Sequence, residues 1–197
     1  RDAAEFAQRM SWPLLWEPSA NAHGAPTALS HGPLIVGQQP VPDAVLSVGT
    51  VGLSRSVLAL LRATPVHIAV HAAANGPDLP DPVGSAAQVL QRVPAAGTPA
   101  DPTWLGAWMA ADSHAATHVA ELLAPATLTG PSAAVSLWQH AADDAILLAG
   151  ASWPTRHIEA FAPVRTGLRV LGNRGANGID GLVSTAYGVA EIGRAHV

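Results

Sequence analysis

Residues 172–181 read GNRGANGIDG: a single arginine set among glycine and asparagine, with Ile-Asp-Gly closing the run. Gly and Asn turn tightly and tolerate positive φ, so the run reads as a turn. The preceding GLRVL (167–171) is an apolar stretch of strand length, and the following LVSTAYGVA (182–190) reads as a small-residue helix. The unit is strand, glycine-rich turn, helix, with a cation at the turn. Backbone N–H groups at such a turn suit an anion.

The same alternation runs outward through the chain. DAVLSVG (43–49), VHIAVHA (66–72), AAQVLQRV (86–93), DAILLAGAS (144–152) and LRVLG (168–172) are expected strands, and WPLLWE (12–17) is a further candidate. Helices are expected in AAEFAQRM (3–10), SRSVLALLRA (54–63), a long segment 102–124 opened by Asp101-Pro102, SAAVSLWQHA (132–141) and TRHIEAFA (155–162). Residues 18–42 and 73–102 are rich in Gly and Pro and read as loops, the second interrupted by the strand at 86–93. PATLTGP (125–131) is the expected domain boundary. Alternating strands and helices predict an α/β fold with parallel sheets covered on both faces by helices. Ligands in such sheets gather at the carboxyl ends of the strands. Three turns stand there, VGTVGLSR (48–55), AGASWPTR (149–156) and GNRGANGID (172–180), and they deliver Arg55, Arg156 and Arg174.

Bulk properties narrow the class. At 197 residues, 49% hydrophobic and 12% charged, the chain can bury a core and is too apolar to be disordered. A net charge of −4 argues against a nucleic-acid partner. Without cysteine there are no disulfides and no thiolate metal sites. No signal peptide and no bilayer-length apolar run is seen, so the cytoplasm is the expected location. All ten cations are arginine, which fits a GC-rich coding sequence.

Individual constellations differ in weight. VGTVGLSR lacks a full GxGxxG, and His71 and Ala72 stand where a dinucleotide site would place an acidic residue. Arg55 at a helix start opposes the macrodipole and calls for an anionic partner. His114 and His118, at i and i+4 with Glu121 beyond, fit a solvated polar face better than a zinc pair. His67 and His71 read as packed or hydrogen-bonded, the six tryptophans mostly as packing, and Ser152 is no nucleophile elbow. Arg156 and Arg174 follow successive strands, so they can converge and hold carboxylates in bidentate forks. Ion pairs with Asp143, Asp144 or Glu159 are the alternative.

GNRGANGIDGLVSTAYG (172–188) closely resembles the signature of the 2-succinyl-5-enolpyruvyl-6-hydroxy-3-cyclohexene-1-carboxylate synthase family, thiamine-diphosphate enzymes of menaquinone synthesis, approximately NRGxxGIDGxxSTAxG. WPLLWEPSA (12–20) resembles the family's LGWPLLADPSS stretch, LSRSVLALL (53–61) its central-domain helix, and LLAGASWPTR (147–156) its LGNSxPVR turn. The similarity covers essentially residues 5–190. It implies an N-terminally truncated central domain over 1–125 and the beginning of a diphosphate-binding domain over 129–190. The pyrimidine-binding domain with its activating glutamate would precede Arg1, and a GDxxxxLN-type motif for Mg²⁺ and diphosphate would follow Ala190. EIGRAHV (191–197) is what a common sequencing adapter encodes in frame, and is expected not to belong to the natural sequence.

The resemblance further implies decarboxylation of 2-oxoglutarate on the thiazolium carbon and addition of its succinyl unit to isochorismate. Both substrates are polycarboxylates, which accounts for the arginines. It places substrate contacts at Arg55, Ser152, Arg156 and Arg174, and cofactor contacts at Asn173, Gly175, Gly178 and Ile179, the isoleucine propping thiamine in its bent form. No catalytic residue and no ligand to Mg²⁺ or Mn²⁺ is expected within the chain, which alone would be inactive. A homodimer or tetramer is expected. Ala151, Trp153 and Asn177 depart from the family pattern and put fine substrate geometry in doubt. Another thiamine-diphosphate decarboxylase, or a non-catalytic α/β module binding a nucleotide on VGTVGLSR, are the alternatives.

Overall fold

The computed structural model describes residues 2–52, 54–72, 81–124, 127–173 and 180–194. Strands β1 (Ala44–Val48), β2 (Val66–Val70) and β3 (Ala86–Leu90) form one parallel sheet in the order β1-β2-β3. Strands β4 (Ile146–Ala149) and β5 (Arg169–Gly172) form a second parallel pair, its register running from Ile146↔Arg169 to Ala149↔Gly172. The helices are α1 (Asp2–Met10), the single turn α2 (Gly32–Ile35), α3 (Arg55–Ala63) crossing from β1 to β2, α4 (Pro102–Leu123), α5 (Gly130–His140), α6 (Trp153–Phe161) crossing from β4 to β5, and α7 (Leu182–Arg194). The α/β alternation read from the sequence is therefore present, with parallel pairing throughout. No helix among the described residues is long and apolar enough to cross a membrane.

Local chemistry sets the helix starts. Asp101 caps α4 by accepting from the Thr103 N–H at 2.8 Å, with Pro102 at the first helical position. Thr129 and Ser132 form a capping box that starts α5 inside the expected boundary segment. One expectation is corrected. WPLLWE is not a strand: only Leu14 bridges, in parallel, to Ala28, through Leu14 N–H to the Thr27 carbonyl and Leu29 N–H to the Leu14 carbonyl. Pro13 and Pro18 remove the donors that a longer ladder would need. Burial of the strands is uneven among the described residues: adjacent Ala69 and Val70, on opposite faces of β2, are both buried. β2, flanked on both sides, is the most buried strand, whereas β3 has no fully buried residue and Val48, Val66 and Ile146 are exposed.

Two cores result. Leu29, Ile35, Val36 and Trp108 form one. Trp138, Ala149, Ile158, Ala162, Leu168 and Val170 form the other, and Trp16 and Ala28 from the front of the chain complete it. Trp16 stacks on Trp138 at 5.7 Å, and His23 meets Trp138 edge-on at 4.8 Å. The segment between them is tied to both halves of the chain. The Asn21 amide accepts from Val170 N–H (2.6 Å) and donates to the Val170 carbonyl (3.0 Å), as a neighbouring strand would. Asp112 of α4, itself buried, accepts from the Ser30 and His31 N–H groups ahead of α2 at 2.9 and 2.7 Å. Ser30 Oγ in turn accepts from Val164 N–H, and His31 Nδ1–H donates to the Ala160 carbonyl of α6.

His67 in β2 joins its sheet from within. Ser85 Oγ donates to the Leu61 carbonyl and so accepts from His67 Nδ1–H, while Ser47 Oγ donates to Nε2; both contacts are 2.8 Å. Burial pushes the imidazole below its ordinary 6.5, and Asp81, 4.0 Å away, offsets part of that. His23 is lowered too, by burial first and then by the Arg165 charge, against the Leu168 carbonyl that raises it.

Two outcomes are expected. Asn21→Ala leaves both polar groups of the Val170 peptide without partners and costs about 1–3 kcal/mol in urea unfolding. Asn21→Gly suits the residue's left-handed φ of 52° and so costs less than alanine. Because His67 and His23 resist protonation when folded, stability is full above the ordinary 6.5 and falls as pH drops through it toward their lowered folded values. Unfolding measured from pH 7.5 down to 5.5 checks this, and His67→Gln, which keeps one donor and one acceptor, flattens the slope.

Candidate functional site

The last rung of the second sheet pairs Ala149 with Gly172, so the turns after β4 and β5 leave from one edge. Gly150 carries the first of them. Its carbonyl accepts from Ser152 N–H (2.9 Å) and from Thr155 Oγ1 (2.7 Å), which fixes the turn against α6. Leu182, the first residue of α7, lies beside Gly150: a side chain added there would have its Cβ 3.6 Å from the leucine. The start of α7 thus lies beside the β4–α6 turn.

Ser152 is the N-cap of α6, yet its side chain makes no capping bond and is exposed. Arg156, four residues on and on the same helical face, is exposed and makes no ion pair with any described residue. Of the three carboxylates expected as alternative partners, Asp143, Asp144 and Glu159, the first is occupied elsewhere. Asp143 binds Arg165 at 2.6 Å, and that guanidinium also donates to the Trp138 and Ala141 carbonyls at the end of α5. Trp153, beside Ser152, is 68% exposed and stacks on His157 at 5.5 Å, so it is not the packing residue expected of the tryptophans.

Asn173 follows β5 directly. Arg174, Gly175, Gly178 and Ile179 lie outside the described residues, as does Asn177. The description resumes at Asp180 and Gly181, whose carbonyl accepts from Thr185 N–H at 2.8 Å.

Arg55 belongs to the first sheet. It opens α3, is exposed, and makes no ion pair among the described residues. The turn before it uses two glycines differently. Gly49 has φ of +80° and open space around it, so conformation requires it. Gly52 is required for room, because the Glu17 carboxylate sits against it and accepts its N–H. That carboxylate occupies the amide a phosphate would use and would repel one, which removes the nucleotide-loop reading of VGTVGLSR. α2 packs against both α3 and α6, linking the two sheets' candidate turns.

His114 and His118 stack at 4.9 Å on the exposed face of α4, with Glu121 at 3.4 Å from His118. Among the described residues no three His, Asp or Glu side chains are grouped to hold a metal. The contacts of Asp112, Glu17 and Asn21 were not signalled by sequence pattern. Glu17 before Pro18 is the nearest to a signal, an acid at a loop entry.

The edge of the second sheet is therefore an open turn cluster with a cation, a free hydroxyl and glycine backbone, a donor set for anions. No protein-family model matches the chain. Curated relatives do: it is 41% identical over 192 residues to the 2-succinyl-5-enolpyruvyl-6-hydroxy-3-cyclohexene-1-carboxylate synthase of Thermobifida fusca, covering 94% of this chain and 34% of that protein. Synthases of the same name from Rhodococcus erythropolis (36%, 90% of this chain, 32% of the relative) and Saccharopolyspora erythraea (32%, 95% and 34%) agree. The chain belongs to this synthase family and spans about a third of the length of the curated relatives it matches.

Proposed function

We propose that this chain supplies the central domain (1–125) and the opening of the diphosphate-binding domain (129–190) of a thiamine-diphosphate-dependent decarboxylating carboligase. This transferase adds the succinyl unit of 2-oxoglutarate to isochorismate in menaquinone biosynthesis. It acts in the cytoplasm as a homodimer or tetramer. Trp16 and Ala28, although early in the chain, belong to the core of the second domain.

The observation that carries the reading is the Ala149↔Gly172 rung, which sends the Ser152–Arg156 turn and the segment that begins at Asn173 out of one sheet edge. The residues there fit an anionic group: Arg156 has no described carboxylate to neutralise it, and the Ser152 hydroxyl makes no capping bond. Asn173, Gly175, Gly178 and Ile179 would lie against thiamine, with Mg²⁺ or Mn²⁺ held by residues outside this chain. When bound, thiamine diphosphate supplies the electron sink for decarboxylation. Arg156 and Arg174 hold substrate carboxylates in bidentate geometry and neutralise them. Ser152 donates a hydrogen bond to the same anions, and Arg55 takes a further carboxylate. These groups orient the reactants.

In the complete synthase containing this chain, Arg156→Ala removes a charge-assisted contact worth about 1.5–3 kcal/mol, so kcat/KM falls roughly tens- to hundreds-fold with little change in melting temperature. Arg156→Lys keeps the charge and loses the fork, giving a smaller fall. An alanine variant that melts early but turns over normally would make Arg156 a structural residue instead.

A further inference from the structure

The contact between Glu17 and the β1–α3 turn joins residues 35 positions apart, and nothing in the proposed chemistry uses it. Glu17 stands between Trp16, buried in the second core, and Pro18, also buried, so its backbone is fixed by packing on the second sheet. Its side chain reaches Gly52, which is buried and precedes Arg55 by three residues. The fit is close. A Cβ on Gly52 would lie 2.6 Å from Glu17 Oε2 and 2.7 Å from its Cδ, so even alanine there would expel the carboxylate. Ser54, the N-cap of α3, makes no side-chain capping bond; its hydroxyl meets Ser56 Oγ at 3.3 Å, and Ser56 donates to the Pro33 carbonyl. The Glu17 carboxylate holds the Gly52 amide, ahead of both serines, from the other sheet's side.

We propose that Glu17 is a positioning residue: by holding the Gly52 amide it sets the turn that aims the Arg55 guanidinium, and so couples the first sheet's cation to the packing of the second. The inference rests on Arg55 binding a substrate carboxylate, as proposed above. In this role Glu17 acts through the turn and not on the substrate. Its effect therefore falls on the affinity for the substrate that Arg55 holds, and not on the chemical step.

Steady-state kinetics of the complete synthase containing this chain test this, with KM measured separately for each carboxylate substrate. Glu17→Ala raises KM for the same substrate as Arg55→Ala by about three- to tenfold, the scale of one lost hydrogen bond, with kcat changed less than twofold. Gly52→Ala reproduces the effect on KM, and the double variant raises KM no further than either single one, because both remove the Glu17–Gly52 contact. Glu17→Gln keeps an oxygen acceptor for the Gly52 amide and restores most of the affinity. If Glu17→Ala does not fold, Gly52→Ala and Glu17→Gln carry the same comparison. Arg55→Ala with a raised KM beside Glu17 and Gly52 variants that only melt earlier overturns the positioning role. An unchanged KM in Arg55→Ala overturns the underlying reading of Arg55, and a Glu17 effect alongside it would not act through the turn.

Discussion

The stack of Trp16 on Trp138 is the contact on which the arrangement of this chain depends. Trp138 is wholly buried, and its indole N–H donates to the Pro163 carbonyl, while that of Trp16 donates to Leu29. Burying an indole is worth about 4–6 kcal/mol by area, several times a neutral hydrogen bond. The stack therefore supplies the attraction, and the polar contacts around it decide the register. Once Trp16 is seated, Asn21, His23, Ser30 and His31 all find partners between residues 138 and 170. A front segment with little regular structure thus becomes part of the second core.

The α/β character was legible because it rests on local pattern: short apolar runs of strand length set between helical periods, with Gly, Pro and Asp at the joints. Where a local signal failed, the cause was also local. WPLLWE has the apolar content of a strand and is half-buried, but Pro13 within it and Pro18 after it limit pairing to Leu14, and Trp16 serves a core in place of a sheet face. Asp112 illustrates the other limit. On a helix full of small apolar residues it looks like a solubilising acid, yet it is buried and bonded to amides 81 and 82 positions away. No periodicity carries that information.

The site was legible in part for a related reason. A βα turn announces itself by composition, so the Ser152–Arg156 turn could be located in advance, and a parallel pair fixes that two such turns share an edge. Whether an arginine is committed depends on which carboxylates reach it. That is a tertiary matter: Asp143 turned to Arg165, a residue the pattern did not single out, and so left Arg156 without it. Trp153 escaped prediction likewise, since an exposed indole and a buried one have the same sequence signature.

The bond between Asn21 and Val170 has a consequence for how the small sheet meets other chains. In a parallel pair successive peptides face opposite sides: Arg169 N–H turns to the Ala145 carbonyl, and Val170 turns away from β4 toward Asn21. The outward peptide at the middle of β5 is thus already saturated by a side chain that cannot propagate a ladder. An incoming strand would find no template there without first displacing the asparagine. Recruitment of foreign β-structure at the middle of β5, whether productive or the start of aggregation, therefore first requires loss of the asparagine's two bonds.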